Sequence, residues 1–478
     1  MQKKHKLIMQ KMSPRTNEVL YETEVMSEEQ VDAVCFKAFH AFSEWSNRSL
    51  EERIRLLRRL VNVIRDNSTR IIDTIMLDVE KPFCEAETEV IESCDILEYY
   101  CAEKYEGIEK PFQIKLDTNM WAHKKAYGIY EPCGVYAVIK PWNYPFELGI
   151  WAIAPLLVAG NTIVYKPSEL SAATGILMAE LFELADFPDG VFNIALGNGE
   201  TGDRIVNNQY ISGISFTGSS SVGMSIINNA KKMNMKISLE MGGSDFALVL
   251  DDQIEEITIP GLLWGSFSNA GQVCVAVEKI LISNKIYDSV VAKMISEVNK
   301  LEMKKEISPI ISQKQYLRAT EIINEAVKHG CKVLCGGTKL EDDALVAGNY
   351  MLPTVIECKD HDFLATIDEI FAPIVFVSPF SNNDEAIRVI NSSAYGLGCS
   401  IWTGNYEQHT DLIKAIKVGM IWVNEVNLPM PQVPWAGIKI SGVGLNLSKK
   451  AVYDSMNMKV IHIDNDKEKR SWWYPYTD

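Results

Sequence analysis

From Gly134 onward, short apolar runs rich in β-formers alternate with segments of helix length, and this alternation constrains the fold more than any other feature. Val135-Tyr136-Ala137-Val138-Ile139 is ended by Pro141 and reads as a strand buried on both faces. A helix-length segment follows, then Thr162-Ile163-Val164-Tyr165 and a helix from about Ala172 to Leu184. Val191-Phe192-Asn193-Ile194, a short helix and Ile214-Ser215-Phe216 continue the series. Strands separated by helices pair in parallel, with the crossovers covering both faces of the sheet. The pattern recurs after Leu239, where Phe246 to Leu250 is strand-like and Ile257 to Asn269 helical. The fold class expected is α/β, built on two-sided parallel sheet.

The chain before Gly134 is expected to be helical. Ser27-Glu28-Glu29-Gln30 and Ser49-Leu50-Glu51-Glu52 fit the capping box, in which a serine and a Glu or Gln three residues on satisfy each other's free N–H groups. Leu56, Leu57, Leu60, Val61 and Ile64 give the second helix one apolar face, with its Arg and Glu residues on the other. At 478 residues the chain exceeds one ordinary core, and it carries no repeat, low-complexity tract or Gly/Ser linker. Two or three lobes that pack closely or share strands are expected.

Charge and cysteine usage remove several functions. With 63 acidic against 47 basic residues the net charge is -16, so no basic excess drives counterion release and no nucleic-acid partner is expected. The ten cysteines are scattered, and Met1 to Lys11 is basic without the apolar segment of a secretory signal; both fit a reduced, cytoplasmic setting. Cys331 and Cys335, with His329 close by, lack a second ligand pair at zinc-site spacing, and no metal is expected. The uncharged stretch between Glu147 and Lys166 approaches the length of a membrane span. Pro155, Gly160, Asn161 and Thr162 interrupt it, so it reads as a buried helix and a buried strand, with no membrane span. The aromatic tail Trp472, Trp473, Tyr474 and Tyr476 is expected to pack on another subunit, a membrane surface being the alternative.

A set of motifs follows a fixed order: Pro141-Trp142-Asn143-Tyr144-Pro145, Lys166-Pro167-Ser168-Glu169, Phe216-Thr217-Gly218-Ser219, Leu239-Glu240-Met241-Gly242-Gly243, Gly271-Gln272-Val273-Cys274, Glu369-Ile370-Phe371-Ala372-Pro373, and the run from Pro434 to Gly442. On these motifs the chain resembles the aldehyde dehydrogenase superfamily from roughly residue 15 to residue 463. The resemblance implies a Rossmann-like parallel-sheet cofactor domain over 1–113 and 134–240, and an α/β catalytic domain over 241–445. Residues 114–133 and 446–478 would form a β oligomerisation arm and tail. NAD is the implied cofactor, with NADP possible, a small aldehyde the substrate, and a homodimer or homotetramer the assembly.

Aldehyde oxidation needs a nucleophile that adds to the carbonyl, yields a thiohemiacetal able to expel hydride, and later leaves from a thioester; a thiolate does all three. Cys274 is the candidate by its place after Gly271-Gln272, although a buried inert thiol would be the reading for it in isolation. Glu240, at the end of an expected strand, is the candidate general base for the water that hydrolyses the thioester, a turn glutamate being the alternative. Its presence speaks against relatives that pass the acyl group to coenzyme A. By resemblance the amide of Asn143, held between two prolines, and the backbone N–H of Cys274 stabilise the oxyanion; such donors are worth roughly 3–4 kcal/mol each.

Gly218, Ser219 and the residues up to Gly223 set glycines and hydroxyls where a strand enters a helix, so their N–H groups can face a pyrophosphate. The loop lacks the usual three spaced glycines, and a generic strand-to-helix turn looks the same. By resemblance Lys166, Ser168 and Glu169 meet the adenosine ribose. Glu169 as a hydroxyl acceptor would repel a 2′-phosphate and favour NAD, an effect that Lys166 partly offsets. Trp142 would line the pyrophosphate site, Glu369 would hold the nicotinamide ribose, and Phe371 would pack beside the ring. For Glu369 and Phe371 a charged-plus-apolar loop stays open as an alternative.

Three departures stand out: Ser244 replaces a lysine, Ala436 a glycine, and Gly444-Leu445-Asn446 a Gly-Arg-Glu, which removes a secondary proton-relay carboxylate at 446. Tyr144, Leu148, Trp151, Trp264, Val273, Val275 and Trp435 are the substrate-facing candidates, and they suggest an aliphatic or aromatic aldehyde without a second carboxylate. Two rival readings are another enzyme on this scaffold, either coenzyme A-acylating or reductive, and a non-catalytic structural protein. Val460-Ile461-His462-Ile463 alternates like a strand with one buried face, and 113–116 with 121–124 is expected to form a hairpin whose open edges a partner subunit covers.

Overall fold

Both capping boxes form. Ser27 Oγ accepts from Gln30 N while Gln30 Oε1 accepts from Ser27 N, and Ser49 and Glu52 repeat the exchange at the start of the helices Glu28–Asn47 and Leu50–Asp66. The second helix buries the five expected apolar residues and also Arg53, whose guanidinium donates to the carbonyls of Ser46 and Arg48. Ser68–Val79 and Phe83–Ala102 complete this helical layer. The computed structural model describes residues 7–117, 121–233, 235–337, 340, 343–470 and 472–476, so most of the basic start and residues 118–120 of the expected arm segment lie outside the described residues. The chain before the first helix differs from expectation: Ile8–Met12 and Val19–Glu24 form an antiparallel hairpin, closed where Ser13 N donates to Glu18 O.

Two sheets carry the rest. In the first, Val135–Ile139 lies between Thr162–Lys166 and Ile211–Gly218, with Phe192–Ile194 and Lys236–Met241 outside them, all parallel. In the second, Asp245–Val249 pairs in parallel with Val277–Ser283 and Gly398–Trp402, flanked by Ile374–Phe380, Thr354–Glu357 and Met420–Val423. Each sheet has one antiparallel edge, Gly442–Val443 in the first and Lys332–Cys335 in the second. Side chains alternate between separate cores, as a two-sided sheet requires: Tyr136 and Val138 face one, Val135 and Ala137 the other. In the second sheet Phe246 and Leu248 divide from Ala247 and Val249 in the same way. The stretch after Glu147 is a fully buried helix, Glu147–Ala159, ended by Gly160 at φ 93° and followed by a buried strand. Among the described residues no helix is long and apolar enough to cross a membrane.

The chain crosses from the first sheet to the second through Gly242, Gly243 and Ser244. Motif residues that follow strands of the first sheet therefore meet motif residues that precede strands of the second. The expected helix to Asn269 stops at Phe267, because the next residues leave helical geometry altogether. A third sheet pairs Met456–Asp464 with Lys124–Pro132, which also pairs with Phe112–Ile114. Here the hairpin expected at 121–124 is displaced: Lys124 N donates to Trp121 O in a turn, and the strand begins at Lys124.

Candidate active site

The loop before Cys274 is the most constrained backbone of the site. Asn269, Ala270 and Gly271 have φ of 47°, 55° and 70°, three successive left-handed residues of which two carry a Cβ. Each such residue costs about 1–2 kcal/mol unless its surroundings impose it. They do. Asn269 N donates to both oxygens of Glu85, Asn269 Nδ2 to Asn143 O, Gln272 Nε2 to Asn269 O, and Ile311 N to Gln272 Oε1. A side chain at Gly271 would meet Ala372 O at 2.3 Å, so only glycine lets the loop run this close to its neighbour.

The same loop orients the amide. Asn143 Nδ2 donates to Gln272 O at 3.1 Å, which spends one amide hydrogen and leaves the second for a ligand. Glu240 arrives on the strand Lys236–Met241, is buried, and its carboxyl lies beside the Cys274 thiol and the Trp435 indole. Glu240 Oε1 and Trp435 Nε1 nevertheless have no hydrogen-bond partner, so the carboxyl keeps an acceptor in reserve. Burial raises the Glu240 pKa to about 7, against the opposing pull of Cys274, Lys140 and Trp435. Burial and then Glu240 push the Cys274 thiol well above its usual range, so the resting pair is a thiol next to a base of near-neutral pKa.

Gly242 and Gly243 explain how these groups come so close. A Cβ on Gly242 would sit 2.4 Å from Glu369 Oε2, and one on Gly243 would sit 2.2 Å from Cys274 O. Glu369 is thereby drawn toward Glu240, and burial, then Glu278 and Glu240, raise its pKa well above the carboxylate range. Ser244, which stands where the family resemblance has lysine in many members, donates to Glu278 Oε2 at 2.7 Å. The other oxygen of Glu278 accepts from Ile370 N and Phe371 N and fixes the loop that carries Glu369. Phe371 meets the Trp142 ring edge-on at 5.6 Å. Lys166, Ser168 and Glu169 lie at the end of Thr162–Lys166: Lys166 Nζ is 3.9 Å from Glu169 Oε2, and Ser168 Oγ caps a short turn by accepting from Leu170 N. Gly218 and Ser219 end the next strand but one and lead into the helix Ser220–Met233. Asn446 pairs by its backbone with Trp435 and brings no carboxylate to the site.

Above Cys274 opens a cavity of about 340 Å³ lined by all seven substrate-facing candidates: Tyr144, Leu148, Trp151, Trp264, Val273, Val275 and Trp435. The same cavity is lined by Glu85, Glu89, Glu92 and Glu147, none of which the sequence singles out. Two have structural duties. Glu85 holds Asn269, and Glu89 pairs with Lys81 at 2.9 Å and accepts from Phe146 N and Glu147 N. Glu92 and Glu147 instead face each other. Burial and then Glu92 and Glu89 push Glu147 well above its usual pKa, burial raises Glu92, and Glu147 also accepts from Trp151 Nε1 at 2.8 Å. The signal for this wall was the spacing of 85, 89 and 92 on one face of Phe83–Ala102, together with a charge at the head of an otherwise uncharged helix.

The fold and the site define an aldehyde-oxidising dehydrogenase, an enzyme that turns an aldehyde into the carboxylic acid. The chain belongs to the aldehyde dehydrogenase family, whose model matches residues 1–461. It is 30% identical over 479 residues to peroxisomal aminoaldehyde dehydrogenase 1 of Pisum sativum, covering 97% of this chain and 94% of that one. Betaine aldehyde dehydrogenase of Bacillus subtilis (strain 168) is also 30% identical, over 90% of this chain and 88% of its own. The crystal structure of betaine aldehyde dehydrogenase from Staphylococcus aureus in complex with NAD+ matches with a TM-score of 0.92 at 28% identity, covering 98% of this chain and 94% of that one.

Proposed function

We propose that the enzyme oxidises an aldehyde bearing a positive charge, with Cys274 as nucleophile, Glu240 as general base and Asn143 as oxyanion donor. The observation that carries the substrate class is the Glu92–Glu147 pair in the pocket wall. Two buried carboxyls pressed together bind a proton more tightly than either would alone, and an ammonium group donated between them replaces that proton at lower cost. Trp151, Trp264 and Trp435 add ring faces that attract a cation, while the Tyr144 ring is already faced by Lys81 Nζ at 3.9 Å. The names of the aminoaldehyde and betaine aldehyde relatives agree with this charge.

In this reading Glu240 takes the thiol proton, the Cys274 sulfur adds to the aldehyde carbon, and Asn143 Nδ2 with Cys274 N–H holds the oxygen. When bound, NAD+ supplies the hydride acceptor that converts the adduct into a thioester. Glu240, once it has released the thiol proton to solvent, takes a proton from water, whose oxygen bonds to the acyl carbon as the C–S bond breaks; the acid departs and Glu240 returns that proton to the Cys274 sulfur. The donor set suits that dinucleotide. Lys166 and Glu169 offer a cation and a hydroxyl acceptor, Gly218 and Ser219 a helix start, and Glu369 a second acceptor beside the Trp142–Phe371 contact. Glu169 favours NAD over NADP. The cofactor domain would be 1–113 with 134–240 and the catalytic domain 241–445. The open edge of Met456–Asp464, with Met458, Val460, Ile461 and Ile463 exposed, supports a homodimer or tetramer built through the arm. Ten free thiols support a reducing, cytoplasmic setting. Incubation with NAD+ and an aminoaldehyde should yield NADH and free acid in equal amounts, with an acyl adduct on Cys274. An adduct on another cysteine, or a requirement for coenzyme A, would overturn the reading.

A further inference from the structure

Lys140 follows the strand Val135–Ile139, is 2% exposed, and has no part in the chemistry assigned above. The pairings Ile139↔Phe216 and Thr217↔Glu240 set Lys140, Thr217 and Glu240 at neighbouring positions on three adjacent parallel strands. Its Nζ donates to Thr217 Oγ1 at 2.9 Å and to Ser215 Oγ at 3.1 Å. Both partners are neutral, although an ammonium buried this deeply calls for a carboxylate. The carboxyl that acts on it is Glu240. Ser215 also lines a cavity of about 60 Å³ with Asn446, Asp454 and Lys236, room enough for water.

The other titratable groups facing Glu240 are Cys274 on the nucleophile loop, Asp245 on the next strand and Glu369 on the loop before Ile374–Phe380. All three are acids, and the intervening strand Ile211–Gly218 offers only the hydroxyls of Ser215 and Thr217. Lys140 is the cation that acts on Glu240 itself, while the buried Lys279 acts on Asp245. We infer that Lys140 is a positioning residue for thioester hydrolysis: its buried ammonium, held in place by Thr217 and Ser215, keeps Glu240 ionised until water attacks. This rests on Glu240 being the base. Burial lowers the Lys140 pKa to about 7 against the pull of Glu240, and Lys140 in turn draws the Glu240 pKa down against its own burial.

The sign of the effect is fixed. A nearby cation lowers a carboxyl pKa, so removing it raises that of Glu240 and moves the rising limb of hydrolysis to higher pH. The test loads the acyl-enzyme in a single turnover and follows its hydrolysis against pH by rapid quench and intact mass. Lys140→Met should still acylate, hydrolyse about tenfold more slowly at pH 7, and shift the limb up by about one unit. Ser215→Ala, which removes one acceptor of the ammonium, should shift it the same way by less, and decides the question if Lys140→Met does not fold. A limb unmoved in the folded variants overturns the inference. A wild-type enzyme that forms no acyl-enzyme overturns the nucleophile assignment itself, and this inference with it.

Discussion

Cys274, which lines the substrate pocket, and its neighbours Asn143 and Glu240 form one side of the comparison, each at a strand end or on a loop fixed by proline and glycine. Glu85, Glu89, Glu92 and Glu147, also lining the pocket, form the other and are carried by the packed helices Phe83–Ala102 and Glu147–Ala159. The first side is built by close backbone approach: its glycines admit Glu369 and the Cys274 carbonyl where any side chain would collide. The second is built by helix packing, and its carboxyls are bent to structural work at 85 and 89 but left facing each other at 92 and 147. The difference teaches that Glu85 ties the two sides together by holding Asn269, whereas Glu92 and Glu147 support no residue of the nucleophile loop and can be changed without it.

The largest effect should come from the first side. Cys274→Ala should lower NADH formation by at least about 10⁴-fold while NAD+ binding, read by fluorescence quenching, persists. Near-normal turnover would mean that the pocket's chemistry lies on the wrong wall. Glu240→Gln should slow the steady state by about 10²–10⁴-fold and leave a burst of NADH with acyl-enzyme visible by mass spectrometry. In the wild type, hydrolysis should fall as pH drops through about 7, because the raised pKa of Glu240 means the base is lost there. Full activity at pH 5 would contradict this.

The second side should respond differently. Glu92→Gln with Glu147→Gln should cut kcat/KM for an aminoaldehyde by about 10–100-fold, the worth of a charge-assisted bond, while a neutral alkanal changes little. An equal loss for both substrates would show that these carboxyls serve folding alone. Glu169→Gln, away from both walls, should raise kcat/KM with NADP+ by about tenfold. Ending the chain at Met458 should have the smallest effect on the chemistry and the clearest on mass: light scattering should report a smaller species, and an unchanged mass would free the arm from any role in assembly.

Much of the first side was legible in the sequence because its signals are local. Val135–Ile139 formed as read, both capping boxes closed, and the seven apolar candidates all line one cavity. The acid wall was not legible, because a helix rich in glutamate reads as a solvated face until packing shows which turn is buried. Glu89, within that helix, is buried against Lys81, and no local pattern announces such a pair. The displaced arm strand at Lys124–Pro132 was missed for a related reason, since its partner Met456–Asp464 is distant in sequence, whereas the hairpin of Ile8–Met12 with Val19–Glu24 is local and was simply not read. Lys140 falls between the two cases. It sits inside a recognised stretch, but only the pairing of three strands places it beside Thr217 and Glu240.

The central claim is that the thiol side performs the oxidation while the Glu92–Glu147 side selects a cation, and one ratio tests it directly. An aminoaldehyde and the neutral alkanal of equal chain length, assayed with NAD+ at pH 8, should differ in kcat/KM by about 10²-fold in favour of the cation. That ratio should fall toward unity in the variant combining Glu92→Gln and Glu147→Gln. Equal kcat/KM for the two aldehydes in the wild-type enzyme, or a ratio that the double variant leaves intact, would contradict the account.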